Sequence, residues 1–330
     1  MAMIGVVGAS SYEGRQMLLT LADRGLPHLG FDSADCETLR ADEPLIKRVD
    51  LSHPGPLTEL FRQHAITDVV HLPDRGTVTR SLKDPLDAYE NTLVPLMSVL
   101  RAVTENGIKR MVLSSTASVY GVPTTVPVPE SSPLQPISPL GWAALSAERM
   151  TSDACKVYGI ERVILRYFNA AGADPIGRSG EASAPKHLIT AAVQVATGRR
   201  EGPLKIYGDD YDTPDGTAIR DYVHVADVAS AHVDAIDHLR AGGSSVILNC
   251  GYGEGVSVQE VVQSVERVMG QPMPIITTGR RQGDPPQLIA DTAAIRSMLG
   301  WRPQYNDLDL IIRTAIAWES QSGAETRERA

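Results

Sequence analysis

Apolar and polar positions in the first half of the chain switch repeatedly between two periods. Short extended-type runs at residues 2–7, 28–32, 69–72, 110–115 and 162–166 alternate with helical patterns at 12–24, 86–105 and 139–157. In the second of these helices Leu93, Leu96, Met97, Leu100 and Val103 recur at helical spacing, and Pro95 marks an expected kink. Such alternation predicts an α/β fold: a parallel sheet with helices on both faces. Six prolines between Pro123 and Pro139 make an interposed loop too stiff and donor-poor for a regular element. Beyond Asn169 the pattern changes. Gly- and Pro-punctuated loops separate helices expected at 187–197, 226–239 and 258–269 from strands at 204–207 and 246–250. The expected division is therefore a sheet domain over 1–168 and a smaller α/β lobe, mainly 169–318, interleaved with it. The polar segment 319–330 is expected to be a mobile tail.

A chain of 330 residues can bury a core of this kind. Its net charge of −9 argues against nucleic acid or an anionic membrane as partner. No apolar run approaches a membrane span. Residues 1–14 are apolar but short and carry no charged leader, so no signal peptide is expected. Cys36, Cys155 and Cys250 show neither metal spacing nor a disulfide framework, which points to the cytoplasm and to no metal site.

Candidate chemistry begins at Val6-Val7-Gly8-Ala9-Ser10-Ser11-Tyr12-Glu13-Gly14, between the first strand and the first helix. Glycines in such a turn let backbone amides approach a pyrophosphate at the helix N-terminus. Gly8 and Gly14 suit that task, whereas Ser11 puts a side chain at the middle position and Glu13 adds a carboxylate. The competing reading is a tight strand–helix connection without a ligand. Asp32, 18 residues after Gly14, ends the second strand where an acid would accept the ribose hydroxyls of NAD and repel the phosphate of NADP. Asp50 either contacts an adenine or begins the next turn.

Further along stand Ser114-Ser115-Thr116-Ala117-Ser118-Val119-Tyr120-Gly121 and Arg166-Tyr167-Phe168-Asn169. Asp210-Tyr211-x-Thr213-x-Asp215-Gly216-Thr217, Arg220-Asp221-Tyr222-x-His224-Val225 and Arg281-x-Gly283-Asp284 follow in order. Over nearly all of residues 1–318 the chain resembles the extended short-chain dehydrogenase/reductase family, in its UDP-glucose 4-epimerase-like (NAD-dependent epimerase/dehydratase) branch. The resemblance implies a Rossmann-like doubly wound sheet, a nucleotide-sugar lobe, tightly held NAD and a homodimer formed through two long helices. It also implies inversion at C4 of a UDP-sugar. A tyrosinate then handles the proton, its pKa lowered by a lysine one helical turn later, with a Ser or Thr hydroxyl supporting the substrate oxygen.

Thr116 falls at that hydroxyl position. The tyrosine and lysine positions are Leu140 and Ala144, and no lysine in the chain has a tyrosine four residues before it. Tyr120, His71 and Asp74 are the nearest substitutes, although packing and strand-end roles compete for them. Trp142 is expected to fill the space left by the lost pair. By the same resemblance Asn169 and His187 would hold the diphosphate, Arg220 and Arg281 would neutralise it, Tyr207 would lie near the uracil, and Asp284 would accept the ribose hydroxyls. Leu288 falls where sugar size is selected. Taken one at a time, these Arg and Asp residues could equally form surface ion pairs, and Arg199-Arg200 reads as a solvated charge run. The expectation is a UDP-sugar epimerase-type enzyme using NAD with a non-standard acid/base arrangement. A catalytically degenerate UDP-sugar binder (scaffold or sensor) and a non-redox lyase or isomerase remain as alternatives.

Overall fold

The computed structural model describes residues 2–33, 46–73, 76–181, 187–281 and 283–328. Cys36 and Asp74 lie outside them. In the first half the order is β1 (Met3–Val7), α1 (Tyr12–Asp23), β2 (His28–Asp32), β3 (Ile46–Arg48), α2 (Pro54–Gln63) and β4 (Ile66–His71). Next come α3 (Val78–Lys83), α4 (Pro85–Glu105), β5 (Arg110–Thr116), a 3-10 turn at Ala117–Tyr120, α5 (Pro139–Tyr158) and β6 (Glu161–Tyr167). The second half continues with β7 (Asn169–Ala171), α6 (Leu188–Ala196), β8 (Leu204–Tyr207), β9 (Ile219–Arg220), β10 (Tyr222–His224) and α7 (Val225–Arg240). It closes with β11 (Val246–Cys250), β12 (Val256–Ser257), α8 (Val258–Met269), β13 (Ile275–Thr278), β14 (Gln287–Leu288), α9 (Ala293–Leu299) and α10 (Leu308–Glu328).

Seven parallel strands form the main sheet in the order β11-β6-β5-β4-β1-β2-β3. From β1 the chain builds outward to β3; from β4 it builds the other way. The reversal opens a crevice at the carboxyl ends of β1 and β4, where doubly wound sheets bind ligands. Strand alternation supplies two cores. Ile4, Val6, Val70 and Val112 face α1 and α7, while Phe31, Val69, Met111 and Leu113 face α2, α4 and α5.

Local chemistry sets the helix ends. Ser138 caps α5 by accepting from the Gly141 amide at 3.2 Å, Pro139 fits the first turn, and Gly159 ends the helix in the left-handed region. Pro95 lies within a single continuous α4. Three small sheets, β7–β10, β12–β9–β14 and β8–β13, build the region beside the carboxyl ends, whereas β11 returns to the main sheet. Residues 319–328, the start of the segment read from the sequence as a tail, continue α10. Glu319 is buried there, accepting from Gln194 at 2.9 Å and pairing with Arg199 at 2.9 Å. Arg199 is therefore an anchor for α10 and not part of a solvated charge run.

Candidate functional site

Thr116 ends β5 directly opposite Tyr167 of β6. Its hydroxyl accepts from the Ser118 amide and donates to the Ser118 hydroxyl, both at 3.2 Å. Helix α5 lies hard against this turn: a Cβ on Gly141 would sit 2.6 Å from the Ser118 carbonyl oxygen. Leu140 and Ala144 are consequently brought beside the Thr116 turn, both buried. Ala144 shares an apolar cluster with Ala117, Tyr120, Phe168 and Leu288. Trp142, 47% exposed, turns outward and does not fill the space it was expected to fill. Residues two apart on a helix face different ways.

Tyr120 is fully committed. Its hydroxyl donates to Asn249 Oδ1 at 2.6 Å and accepts from Arg166 at 3.0 Å, and burial pushes its pKa up despite the neighbouring guanidinium. His71 is buried at the end of β4, between Val7 and Leu113. Neither side chain has the exposure of a group that exchanges protons with a substrate.

In the glycine turn, Gly8 has φ +87° and an added Cβ would lie 1.9 Å from the Leu72 carbonyl oxygen. A Cβ on Gly14 would lie 2.2 Å from the Gly8 carbonyl oxygen. Both glycines are thus required by backbone packing at the strand crossover. Ser11 is the N-cap of α1; its hydroxyl donates to Gly8 at 2.8 Å and accepts from the Gly14 amide at 3.0 Å. The side chain folds into the turn, leaving the Tyr12 and Glu13 amides without a partner inside the helix. Asp32 Oδ2 accepts from the Ser10 amide (2.8 Å) and hydroxyl (2.6 Å), and Oδ1 accepts from Ser33 at 2.7 Å. Of about four acceptor directions on a carboxylate, one on Oδ1 remains for a ligand hydroxyl. First-turn amides, an adjoining acid and a strand-order reversal fit a dinucleotide. Asp50 serves its own turn, accepting from Ser52 and His53, and the Ser52 hydrogen bonds hold its carboxyl at about 2.

The second group forms on the small strands. Asn169 pairs with Tyr222, its amide donating to the Asp221 carbonyl at 2.9 Å, while its side-chain amide bonds no described residue. Arg220 lies two positions before Tyr222, opposite Leu288 of β14 and Val256 of β12. Its guanidinium pairs with Asp284 and donates to the carbonyls of Ile219 (2.6 Å) and Pro285 (2.7 Å). Arg281 stacks over the Tyr207 ring at 4.1 Å on the β8–β13 side. Tyr211 bridges the two parts. Arg280 covers its ring at 4.4 Å, and the charges of Asp284 and Arg220 both act on its hydroxyl. His187 starts α6, bonded to Glu181 at 2.8 Å and 6.2 Å from the Tyr12 ring. The structure thus places Arg220 and Leu288 on paired strands, Asp284 on Arg220 through an ion pair, and Asn169 opposite Tyr222 two positions on, with Tyr207 and Arg281 as a second pair and His187 at a separate helix start. Sequence reasoning passed over Ser10, Ser118, Glu148 and Tyr211. Ser10, Ser118 and Tyr211 stand inside quoted motifs, whereas Glu148 carried no signal.

A Rossmann-type parallel sheet whose strand order reverses at β1 and β4 defines the class as a doubly wound α/β protein, a fold that takes its ligands at the carboxyl ends of the strands. Residues 4–251 match the model of the NAD dependent epimerase/dehydratase family, and the chain belongs to that family. It is 46% identical over 318 residues to the UDP-glucose 4-epimerase of Azospirillum brasilense, covering 95% of this chain and 91% of the relative. Among solved structures, UDP-glucose 4-epimerase from Brucella ovis in complex with NAD is 38% identical, with a TM-score of 0.91 over 96% of this chain and 98% of that one. The enzyme of that name from Stenotrophomonas maltophila, with bound NAD and formylated UDP-arabinopyranose, is 31% identical, with a TM-score of 0.92 over 98% and 100%.

Proposed function

We propose that this protein is an NAD-dependent nucleotide-sugar enzyme of the UDP-glucose 4-epimerase type. The observation that carries the reading is the Arg220–Asp284 pair, with Arg220 two positions before the Tyr222 that faces Asn169, at the carboxyl end of a sheet whose crevice fits a dinucleotide. The three relatives described above support turnover over the binding-only and elimination readings.

Arg220 and Arg281 present planar guanidiniums suited to bidentate contact with a diphosphate. Asn169 has a side-chain amide to add, Asp284 accepts ribose hydroxyls, and Tyr207 offers an aromatic face to the base. Gly8, Gly14, Ser11 and Asp32 shape the site for NAD, which when bound supplies a reversible hydride acceptor. Thr116 supports the sugar oxygen and can pass its proton to the Ser118 hydroxyl 3.2 Å away, and from there to water. Neither hydroxyl is a base near neutral pH. With Leu140 and Ala144 in place of an ionisable pair, turnover falls by a factor of about 10²–10⁴ relative to a site with a positioned base.

A homodimer through α4 and α5 is part of the proposal. Leu86 and Met97 on α4, and Trp142 and Val157 on α5, are exposed apolar side chains on two helices packed together. Two buried free thiols, Cys155 and Cys250, support a cytoplasmic setting. Among the described residues no helix is long and apolar enough to cross a membrane.

The test is direct. Acid denaturation should release NAD in stoichiometric amount, and native protein should convert UDP-galactose slowly to UDP-glucose, with Thr116→Val abolishing conversion. Bound NAD with no conversion of any UDP-hexose above buffer refutes the reading.

A further inference from the structure

Tyr211 is 95% buried, its relative exposure being 5%, yet its hydroxyl has no hydrogen-bond partner among the described residues. A phenol buried this way normally finds an acceptor, because an unmade bond costs more than a made one gains. Its surroundings are rigid. The Tyr211 amide donates to Gly216 at 2.9 Å, the Thr213 amide donates back to the Tyr211 carbonyl at 2.8 Å, and Arg280 clamps the ring while paired with Asp210 at 2.7 Å. Arg280, which covers the ring, stands four residues before Asp284 in the chain, and the charges of Asp284 and Arg220 both reach this hydroxyl, beneath the larger effect of burial. Arg220 meanwhile spends its donors on Asp284 and on three backbone carbonyls.

A diphosphate that recruits Arg220 strips Asp284 of its cation. The carboxylate then needs another donor to stay oriented, and the Tyr211 hydroxyl is an unspent buried donor among the described residues. We propose that Tyr211 is a positioning residue for the nucleoside diphosphate: it donates to Asp284 when the ligand takes Arg220, holding that carboxylate toward the ribose. The inference rests on the UDP-sugar reading above. It assigns Tyr211 a partner exchange linked to ligand binding, so its hydroxyl contributes to the complex and not to the free protein.

Calorimetry with UDP on the full chain, paired with thermal unfolding of the free protein, separates the outcomes for Tyr211→Phe, Asp284→Asn and the double variant. Tyr211→Phe should bind UDP about tenfold more weakly, the size of one hydrogen bond to a charged group. Its free-protein Tm should be unchanged or higher, because a buried unmatched hydroxyl is removed. In the Asp284→Asn background the same change should cost nothing further. Wild-type affinity in Tyr211→Phe overturns the proposal, as does a lower free-protein Tm with an equal binding loss in both backgrounds. A folded wild type that gives no heat with UDP refutes the functional reading itself; wild-type binding with an unaffected Tyr211→Phe removes only the tyrosine's role.

Discussion

Arg166 holds both carboxylate oxygens of Glu148, at 2.9 and 2.7 Å, with each side chain less than 5% exposed. The pair joins β6 to α5 directly beneath the Thr116 turn. Ser115 donates to Glu148 at 2.5 Å, and Arg166 reaches the Tyr120 hydroxyl. Burial works against the Arg166 charge, but the Glu148 hydrogen bonds and charge outweigh it and raise its pKa. Glu148→Ala strands a buried guanidinium and should destabilise the protein by about 3–5 kcal/mol. Replacing both partners, Glu148→Leu with Arg166→Met, should cost clearly less than the single change. Denaturant midpoints of the three proteins check this; a single variant no weaker than the double contradicts it.

Acid sensitivity should centre on His224. Its Nδ1 accepts from the Ala226 amide at 3.1 Å, which only an unprotonated nitrogen can do, and Nε2 lies 3.2 Å from Thr314 Oγ1. Burial lowers its pKa to about 4, against a small opposing effect from Asp174. The unfolded chain, with histidine near its ordinary value of about 6.5, binds the proton first as pH falls. Stability is therefore lost progressively from pH ~6.5 down to ~4, by up to about 3 kcal/mol. Replacing the imidazole through His224→Gln should flatten that slope by close to one proton. An unchanged slope in urea titrations across this window refutes the assignment.

How much of this was legible in the chain depends on the range of the interactions. Strands β2, β8 and β11 and helix α8 fall where local periodicity placed them, because each buries an unbroken face. Helix α2 escaped notice: Pro54-Gly55-Pro56 resembles a turn, although prolines fit a first helical turn that needs no amide donors. The C-terminal part of α10 was equally hidden, because Glu319 is polar and its burial depends on Gln194 and Arg199, more than a hundred residues earlier. At the site, residue types at motif positions pointed to Asn169, Arg220 and Asp284. That Arg220 is already paired with Asp284, and that Ser11 caps its own helix, are facts of side-chain direction that spacing does not encode.

Arg220 should resist conservative replacement. A lysine keeps the charge but offers a single point of donation where a diphosphate is met by a planar fork. Arg220→Lys should therefore weaken UDP binding by at least about tenfold, the size of one charge-assisted bond. Arg281→Lys adds the loss of stacking on Tyr207. Calorimetric affinities decide the point, and wild-type binding by Arg220→Lys counts against a bidentate role.

The proposed reading of α5 makes its strongest prediction at Leu140 and Ala144. Ala144→Lys alone places an ammonium beside Tyr120, Phe168 and Leu288, one helical turn from a Glu148 carboxylate that Arg166 already holds. It should lower stability, because an unpaired buried charge is costly. Leu140→Tyr combined with Ala144→Lys puts a phenol and an ammonium on one helix face, each a potential partner for the other. The combined variant should lose less stability than Ala144→Lys and gain turnover of UDP-galactose by up to about 10²–10⁴. The gain should appear in kcat, with UDP affinity unchanged, since Arg220, Arg281 and Asn169 are untouched. A folded combined variant that turns over no faster than wild type contradicts the assignment of these two positions to proton transfer.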